Sequence, residues 1–209
     1  MALKATQEMC AVCFDMLFAA LRNQPTGSII ERFFLTETQV NAPCPIFVTW
    51  KINKSDDLRG CIGTFDQGTR IGDLLPRYAL ISAFNDTRFD PISLKEAEHL
   101  SVSVSLLTNF IRIKHPLDWE VGKHGIEINF SAKGKKYSAT FLPEVSKDQG
   151  WDQATTLVNL FRKACYMSYK QSPLEIIQEI SPTLNVKTYQ SSKQSMSYEN
   201  YQAYRSLQT

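Results

Sequence analysis

Between residues 101 and 106 the chain reads Ser-Val-Ser-Val-Ser-Leu, a strict alternation of small polar and branched apolar side chains. A helix, with its period of about 3.6 residues, scatters such a pattern around its surface, whereas a strand sorts it onto two faces. The segment is therefore a strand, and the alternation predicts Val102, Val104 and Leu106 inward with Ser101, Ser103 and Ser105 outward. The same period returns at Gly125 to Phe130, where Ile126, Ile128 and Phe130 share a face. Lys133-Gly134-Lys135 then turns the chain, and Tyr137 to Leu142 reads as the return strand of an antiparallel hairpin.

Helical periods separate these strands. Met9, Val12, Cys13, Met16, Leu17 and Ala20 form one stripe over 5–22, and Ile71, Leu74, Leu75, Tyr78 and Ser82 share a face over 70–86. Over 153–168 the stripe is Ala154, Leu157, Val158, Phe161, Ala164 and Cys165, with Asp152 as its cap. Ser93 with Glu96, and Ser146 with Gln149, have capping-box spacing. Ser172-Pro173 with Glu175 opens a short helix that Ser181-Pro182 closes. Ile46 to Ile52, 58–65 and Thr183 to Tyr189 complete the strands. Hairpins interspersed with helices predict an α+β fold, a mainly antiparallel or mixed sheet flanked by helices. No linker divides the chain, so we expect one domain over 1–190 and a polar tail over 191–209.

Composition narrows the function classes. The chain has 209 residues, enough to bury a core without disulfides or metal. Its 23 basic and 21 acidic residues leave a net charge of +2, too balanced for a protein held to nucleic acid by phosphate contacts. No apolar run approaches the roughly 20 residues that span a bilayer. Asp15 interrupts the apolar stretch from Met9 to Ala20, which reads as a core helix and not as a signal segment. Five cysteines without an export signal imply free thiols, and we expect the cytoplasm, with the nucleus as the alternative. Cys10-Ala11-Val12-Cys13 has no second pair and no histidine at zinc spacing, so it reads as packing and no metal site is expected. Cys165, on its apolar stripe, reads as core.

The densest motif is Leu58-Arg59-Gly60-Cys61-Ile62-Gly63-Thr64-Phe65. In an extended segment Arg59, Cys61 and Gly63 project on one face, and a guanidinium near Cys61 would favour its thiolate. Gly60 and Gly63 give up side chains where a strand prefers them, which implies either positive φ or a close approach of another group. Two readings stay open: an activated thiol in a cleft, or a tight strand crossing with a small buried cysteine. His124, between Gly122-Lys123 and Gly125, is a candidate general base or a turn residue. Asp86 and Arg88 pair with each other or with Arg59, and Glu144, after Pro143, offers a loop carboxylate.

These residues carry a resemblance. The run LRGCIGTF at 58–65 resembles the signature of the AMMECR-one family, named after the Alport syndrome, midface hypoplasia and elliptocytosis chromosomal region. The similarity continues through FVTWK at 47–51, SAFNDTRF at 82–89, SVSLLTNF at 103–110, DWEVGKHGIEI at 118–128, SATFLPEV at 138–145 and QGWD at 149–152. SYENYQAYR at 197–205 is similar to eukaryotic members. One departure is Arg162-Lys163-Ala164-Cys165, where the family ends in glycine. The resemblance implies an α+β fold with a groove near the signature, and it brings no established reaction and leaves the cofactor open. Prokaryotic members travel with Memo-like and radical-SAM proteins, which implies a partner or a shared pathway. Two functions follow. In an enzyme-like pocket, Cys61 is nucleophile or ligand-contacting thiol, His124 base and Arg59 anion stabiliser, with Asp86 and Glu144 orienting them and Gly60, Gly63 and Arg88 at the binding surface. In an interaction module, the same groove holds a Memo-like protein. A nucleic-acid module is disfavoured by the charge.

Overall fold

The computed structural model describes residues 3–166 and 172–208. In chain order the helices are α1 (Gln7–Leu21), α2 (Gly27–Thr36), α3 (Ile71–Phe84), α4 (Leu94–Ala97), α5 (Pro143–Asp148), α6 (Gln153–Lys163), α7 (Pro173–Ile180) and α8 (Tyr198–Ser206). The strands are β1 (Ile46–Ile52), β2 (Leu58–Thr64), β3 (Leu100–Ile113), β4 (Gly125–Ala132), β5 (Lys135–Phe141) and β6 (Asn185–Ser197). They form one six-stranded sheet in the order β2-β1-β3-β6-β4-β5, and the pairs β1–β2, β1–β3, β4–β5 and β4–β6 are antiparallel. The α+β class expected from the alternating segments is the class observed.

The chain divides into two compact units, one up to Leu107 together with the residues from Ser192 on, the other Thr108–Ser191. In the first, α1 is buried on nearly every side and Thr6 caps it by accepting from the Met9 N–H. Its Phe14 meets the Trp50 ring edge-on at 5.3 Å. Trp50, fully buried on β1, donates its indole N–H to Ser82 Oγ of α3 at 3.0 Å. A buried indole N–H needs such a partner, so this bond fixes α3 on the β1–β2 hairpin. In the second unit the β4–β5 hairpin lays Ile126, Ile128 and Phe130 against Leu157, Leu160 and Phe161 of α6.

Several expectations need correction. Val102, Val104 and Leu106 are buried as predicted, but Ser103 and Ser105 are only 5% and 3% exposed. Alternation reports which face prefers apolar groups and not whether the other is wet; here the serine face is covered too, and Ser103 shares a 2.8 Å hydrogen bond with Ser195 of β6. Residues 191–209, expected as a polar tail, complete β6 and form α8 as far as Ser206. That helix packs Tyr198 and Tyr201 on Phe14 and Phe18 of α1, and Arg205 pairs with Glu8 and Asp15. Its polarity by sequence hid charges that are neutralised on docking. The capping box of Ser93 and Glu96 is present at α4. Ser146 instead lies inside α5, which starts at Pro143, so Glu144 sits in a helical first turn and not in a loop.

Cys165 is exposed, not core. It adopts φ of +58°, just past the end of α6. Tyr166 N–H bonds to Phe161 O and Cys165 N–H to Arg162 O, both at 2.9 Å, the double bond of a helix end whose penultimate residue is left-handed. The 167–168 end of the helix predicted over 153–168 lies outside the described residues. Among the described residues no helix is long and apolar enough to cross a membrane.

Candidate functional site

The signature occupies β2, an edge strand, and a bulge governs how it faces β1. Lys51 pairs with Leu58, but Trp50 pairs with Gly60 and Thr49 with Cys61, so Arg59 is the extra residue. A bulge adds one residue to one strand and switches the faces beyond it. Continued without the bulge, the Lys51 register would set Gly60 opposite Thr49; with it, Cys61 takes that place.

An edge strand leaves backbone groups without a ladder partner. At Cys61 the segment after α3 supplies them. The Cys61 N–H donates to Asp86 Oδ2 at 2.8 Å, and the Cys61 carbonyl accepts from Arg88 Nη2 at 3.1 Å. The same carboxylate takes Arg88 Nε at 2.9 Å and Nη2 at 2.7 Å. One ion pair thus offers an acceptor and a donor at ladder spacing, a two-residue substitute for a neighbouring strand. Charge-assisted bonds of this kind are about twice as strong as neutral ones. The hydrogen bonds from Arg88 hold the Asp86 carboxyl well below the usual carboxylate range, against the opposing effect of burial, and the Cys61 N–H adds to them. Asp86 and Arg88 therefore pair with each other, one of the two options the sequence left open.

The Cys61 side chain lies on the sheet face opposite α3. Thr49 Oγ1 donates to Cys61 Sγ at 3.2 Å. Thr49 is also opposite Ser103 on β3, and Ser103 bonds Ser195 on β6. A row of one thiol and three hydroxyls thus crosses four strands. Cys61 is half-buried, whereas Cys10, Cys13 and Cys44 are buried. Burial pushes the Cys10 thiol up to about 12 and the Cys44 thiol up to about 11, and it raises Cys13 as well. Those three are packing residues, as the sequence indicated for the Cys10–Cys13 pair.

Arg59 turns elsewhere. Its Nε donates to Glu96 Oε1 at 2.6 Å and its Nη2 to Glu96 Oε2 at 3.3 Å. Glu96 also accepts from the Ser93 N–H, so the α4 capping box and the signature arginine share one carboxylate. Arg59 and Arg88 both lie over the Phe89 ring, 5.9 and 5.5 Å from its centroid. Together with Thr87 and Asp90 these three line a hollow of about 450 Å³. The guanidinium that bonds the Cys61 main chain is that of Arg88, where the sequence suggested Arg59.

Of the two causes expected for Gly60 and Gly63, the close approach of another group is the one observed. Neither has positive φ. A Cβ on Gly60 would sit 2.2 Å from Ser82 O, and one on Gly63 would sit 2.3 Å from Ile46 O and 2.4 Å from Phe47 Cγ. The close approach is made by the chain itself: α3 over Gly60, and the cross-strand Phe47 ring over Gly63.

His124 and Glu144 belong to the second unit. His124 Nδ1 accepts from the Glu120 N–H at 3.1 Å, and its own N–H bonds Glu120 O at 3.0 Å. With Nδ1 an acceptor, the bond assigns the ring proton to Nε2. Glu144 lies in the first turn of α5, and Lys147 of the same helix packs against Gly122. Glu144 also raises Tyr189, whose phenol is pushed up chiefly by burial. Among the described residues no group of three or more His, Cys, Asp or Glu could hold a metal ion.

Thr49 and Ser195 escaped the sequence reading, which took Ser103 only as a strand residue and Glu96 only as part of a cap. Thr49 was visible as a polar residue between Val48 and Trp50, but its partner depends on the bulge, which no local pattern announces.

The chain is 38% identical over 205 residues to an uncharacterised protein of Arabidopsis thaliana, covering 96% of this chain and 89% of the relative. It is 40% identical over 162 residues to an uncharacterised protein of Schizosaccharomyces pombe, covering 77% of this chain and 81% of the relative. The crystal structure of an uncharacterised protein from Pyrococcus horikoshii has the same fold, with a TM-score of 0.65 at 23% identity over 92% of this chain and 94% of that one. The sequence pattern of AMMECR1 matches residues 10–193, a span that contains the bulged β2 and its Asp86–Arg88 clamp. The chain belongs to the AMMECR1 family.

Proposed function

We propose that this AMMECR1-family protein carries a thiol-dependent site at Cys61, which acts as nucleophile or as the thiol that contacts a ligand. The observation that carries the reading is the clamp. Both backbone groups of Cys61 are bonded by one ion pair, so the thiol is held in place by its main chain while its side chain stays half-buried on a polar row. Cys10, Cys13 and Cys44 are instead fully buried in the core, the Cys10 and Cys44 thiols donating to main-chain carbonyls. In this reading Arg59 with Arg88 meets an anionic group. The free thiols support a reducing compartment, cytoplasm or nucleus, as the place of action.

Iodoacetamide labelling at pH 7, resolved by peptide mass spectrometry, tests it. An ordinary thiol has a pKa of about 8.5 and is mostly protonated at that pH. The exposed Cys165 is an internal reference for such a thiol, and the three buried cysteines report intactness of the fold. Cys61 is expected to label faster than Cys165 despite its lower exposure. If Cys61 stays inert while Cys165 reacts, the thiol reading fails, and a surface that binds a Memo-like or radical-SAM-linked protein becomes the function to pursue by pull-down.

A further inference from the structure

We infer that Thr49 is a positioning residue for the Cys61 thiol, its hydroxyl donating to the sulfur and favouring the thiolate form. The inference rests on the thiol reading above and adds a residue and a mechanism to it. Three features of unit one support it. Thr49 lies between two possible partners, Cys61 on β2 and Ser103 on β3. The Ser103 hydroxyl is already engaged with Ser195 at 2.8 Å, and the Thr49 Oγ1 donates to Cys61 Sγ at 3.2 Å. The arrangement also depends on the bulge at Arg59, without which Gly60 would face Thr49.

A hydroxyl donating to sulfur gains more from a thiolate than from a thiol, because the bond to the anion is charge-assisted. That difference shifts the balance toward the anion. The charged groups of this unit around Cys61 act in both directions. Arg88, from the segment after α3, donates to its carbonyl, and Asp86 accepts its N–H. Arg59, on the same strand, is bonded to Glu96 from α4. Thr49, Ser103 and Ser195 on the far side are neutral, and Lys51, two residues along β1 on the face of Thr49, is bonded to Asp56. Arg88 is itself held above its ordinary value, first by its bonds to Asp86 and in part by the charge of Cys61, which agrees with a guanidinium close to the sulfur.

The test is the pH profile of alkylation at Cys61 in the full chain. In that reaction the sulfur lone pair attacks the methylene carbon of iodoacetamide, the C–S bond forms as the C–I bond breaks, iodide leaves and the thiol proton goes to buffer. Thr49→Val keeps the β-branched shape and removes the donor, and Thr49→Ser keeps the donor. We expect Thr49→Val to move the profile up by about one pH unit, roughly tenfold slower at pH 7, with an unchanged plateau at high pH. Thr49→Ser should restore the wild-type profile. Labelling of Cys10, Cys13 and Cys44 in the same sample reports unfolding, and Thr49→Ala replaces the valine variant if they become reactive. A Cys61 that reacts in the wild type with a profile unmoved by loss of the hydroxyl overturns the inference and leaves the thiol reading standing. A rate lowered equally at every pH, plateau included, also overturns it, since that is the mark of lost access. A Cys61 inert in the wild type sinks both.

Discussion

At the scale of the residue, Cys165 is the clearest case of a side chain standing where backbone geometry wants none. Left-handed backbone costs an L-residue with a Cβ roughly 1–2 kcal/mol, and helices commonly end there on glycine. The double hydrogen bond at the end of α6 requires that conformation of Cys165, which the apolar stripe had assigned to the core. Cys165→Gly is therefore expected to stabilise the protein by about 1 kcal/mol, part of the gain being offset by the freer unfolded chain. Thermal unfolding should show a melting temperature raised by roughly 2–4 °C. A lower melting temperature would show that the cysteine makes a compensating contact. Gly60 and Gly63 follow the converse logic: their φ is ordinary, and what they supply is room for Ser82 O and for the Phe47 ring.

At the scale of the element, the edge of β2 depends on two residues that are not in any strand. Asp86 is 7% exposed and carries the Cys61 N–H as well as Arg88. Replacing it by asparagine removes a charge from bonds that are worth about 1.5–3 kcal/mol each when one partner is ionised. Asp86→Asn should cost about 2 kcal/mol at neutral pH. The pH dependence has a definite sign. A carboxyl held below its unfolded value of about 3.9 stabilises the fold above that pH, and the contribution is lost as pH falls below it. The wild type should therefore lose stability from about pH 4 downward more steeply than Asp86→Asn. Parallel acid limbs in urea unfolding at a series of pH values would show that the clamp contributes nothing. The α8 helix shows the same principle with its charges inward: Arg205 is 15% exposed, between Glu8 and Asp15, and a composition that reads as solvated tail becomes a docked helix.

At the scale of the whole molecule, two cores stabilise the chain, one around α1 and Trp50, the other around the β4–β5 hairpin and α6. Phe161 is 2% exposed and meets Phe130 edge-on at 5.7 Å. Truncating a buried phenylalanine costs about 3–5 kcal/mol. Domains of this size have only about 5–15 kcal/mol in total. Phe161→Ala should thus lower the denaturation midpoint sharply, and hydrogen exchange should show protection lost first in β4, β5 and α6. An unchanged midpoint would mean that this face of α6 is not core.

Periodicity, caps and turn residues are local, and they were legible. The alternation at 101–106, the Lys133-Gly134-Lys135 hairpin, the stripe of α1 and the box at α4 each depend on neighbours within a few residues, so the chain itself specifies them. The family signature, a contiguous run at 58–65, was legible for the same reason. Register and partnership are long-range. The bulge that turns Cys61 toward Thr49, the Asp86–Arg88 pair that stands in for a missing strand, and the Arg59–Glu96 bond join residues 12 to 37 positions apart. A period of two cannot reveal a one-residue slip, nor can it show that a serine face is covered. Those choices are made when strands and helices pack, because only then does each buried polar group find, or fail to find, a partner.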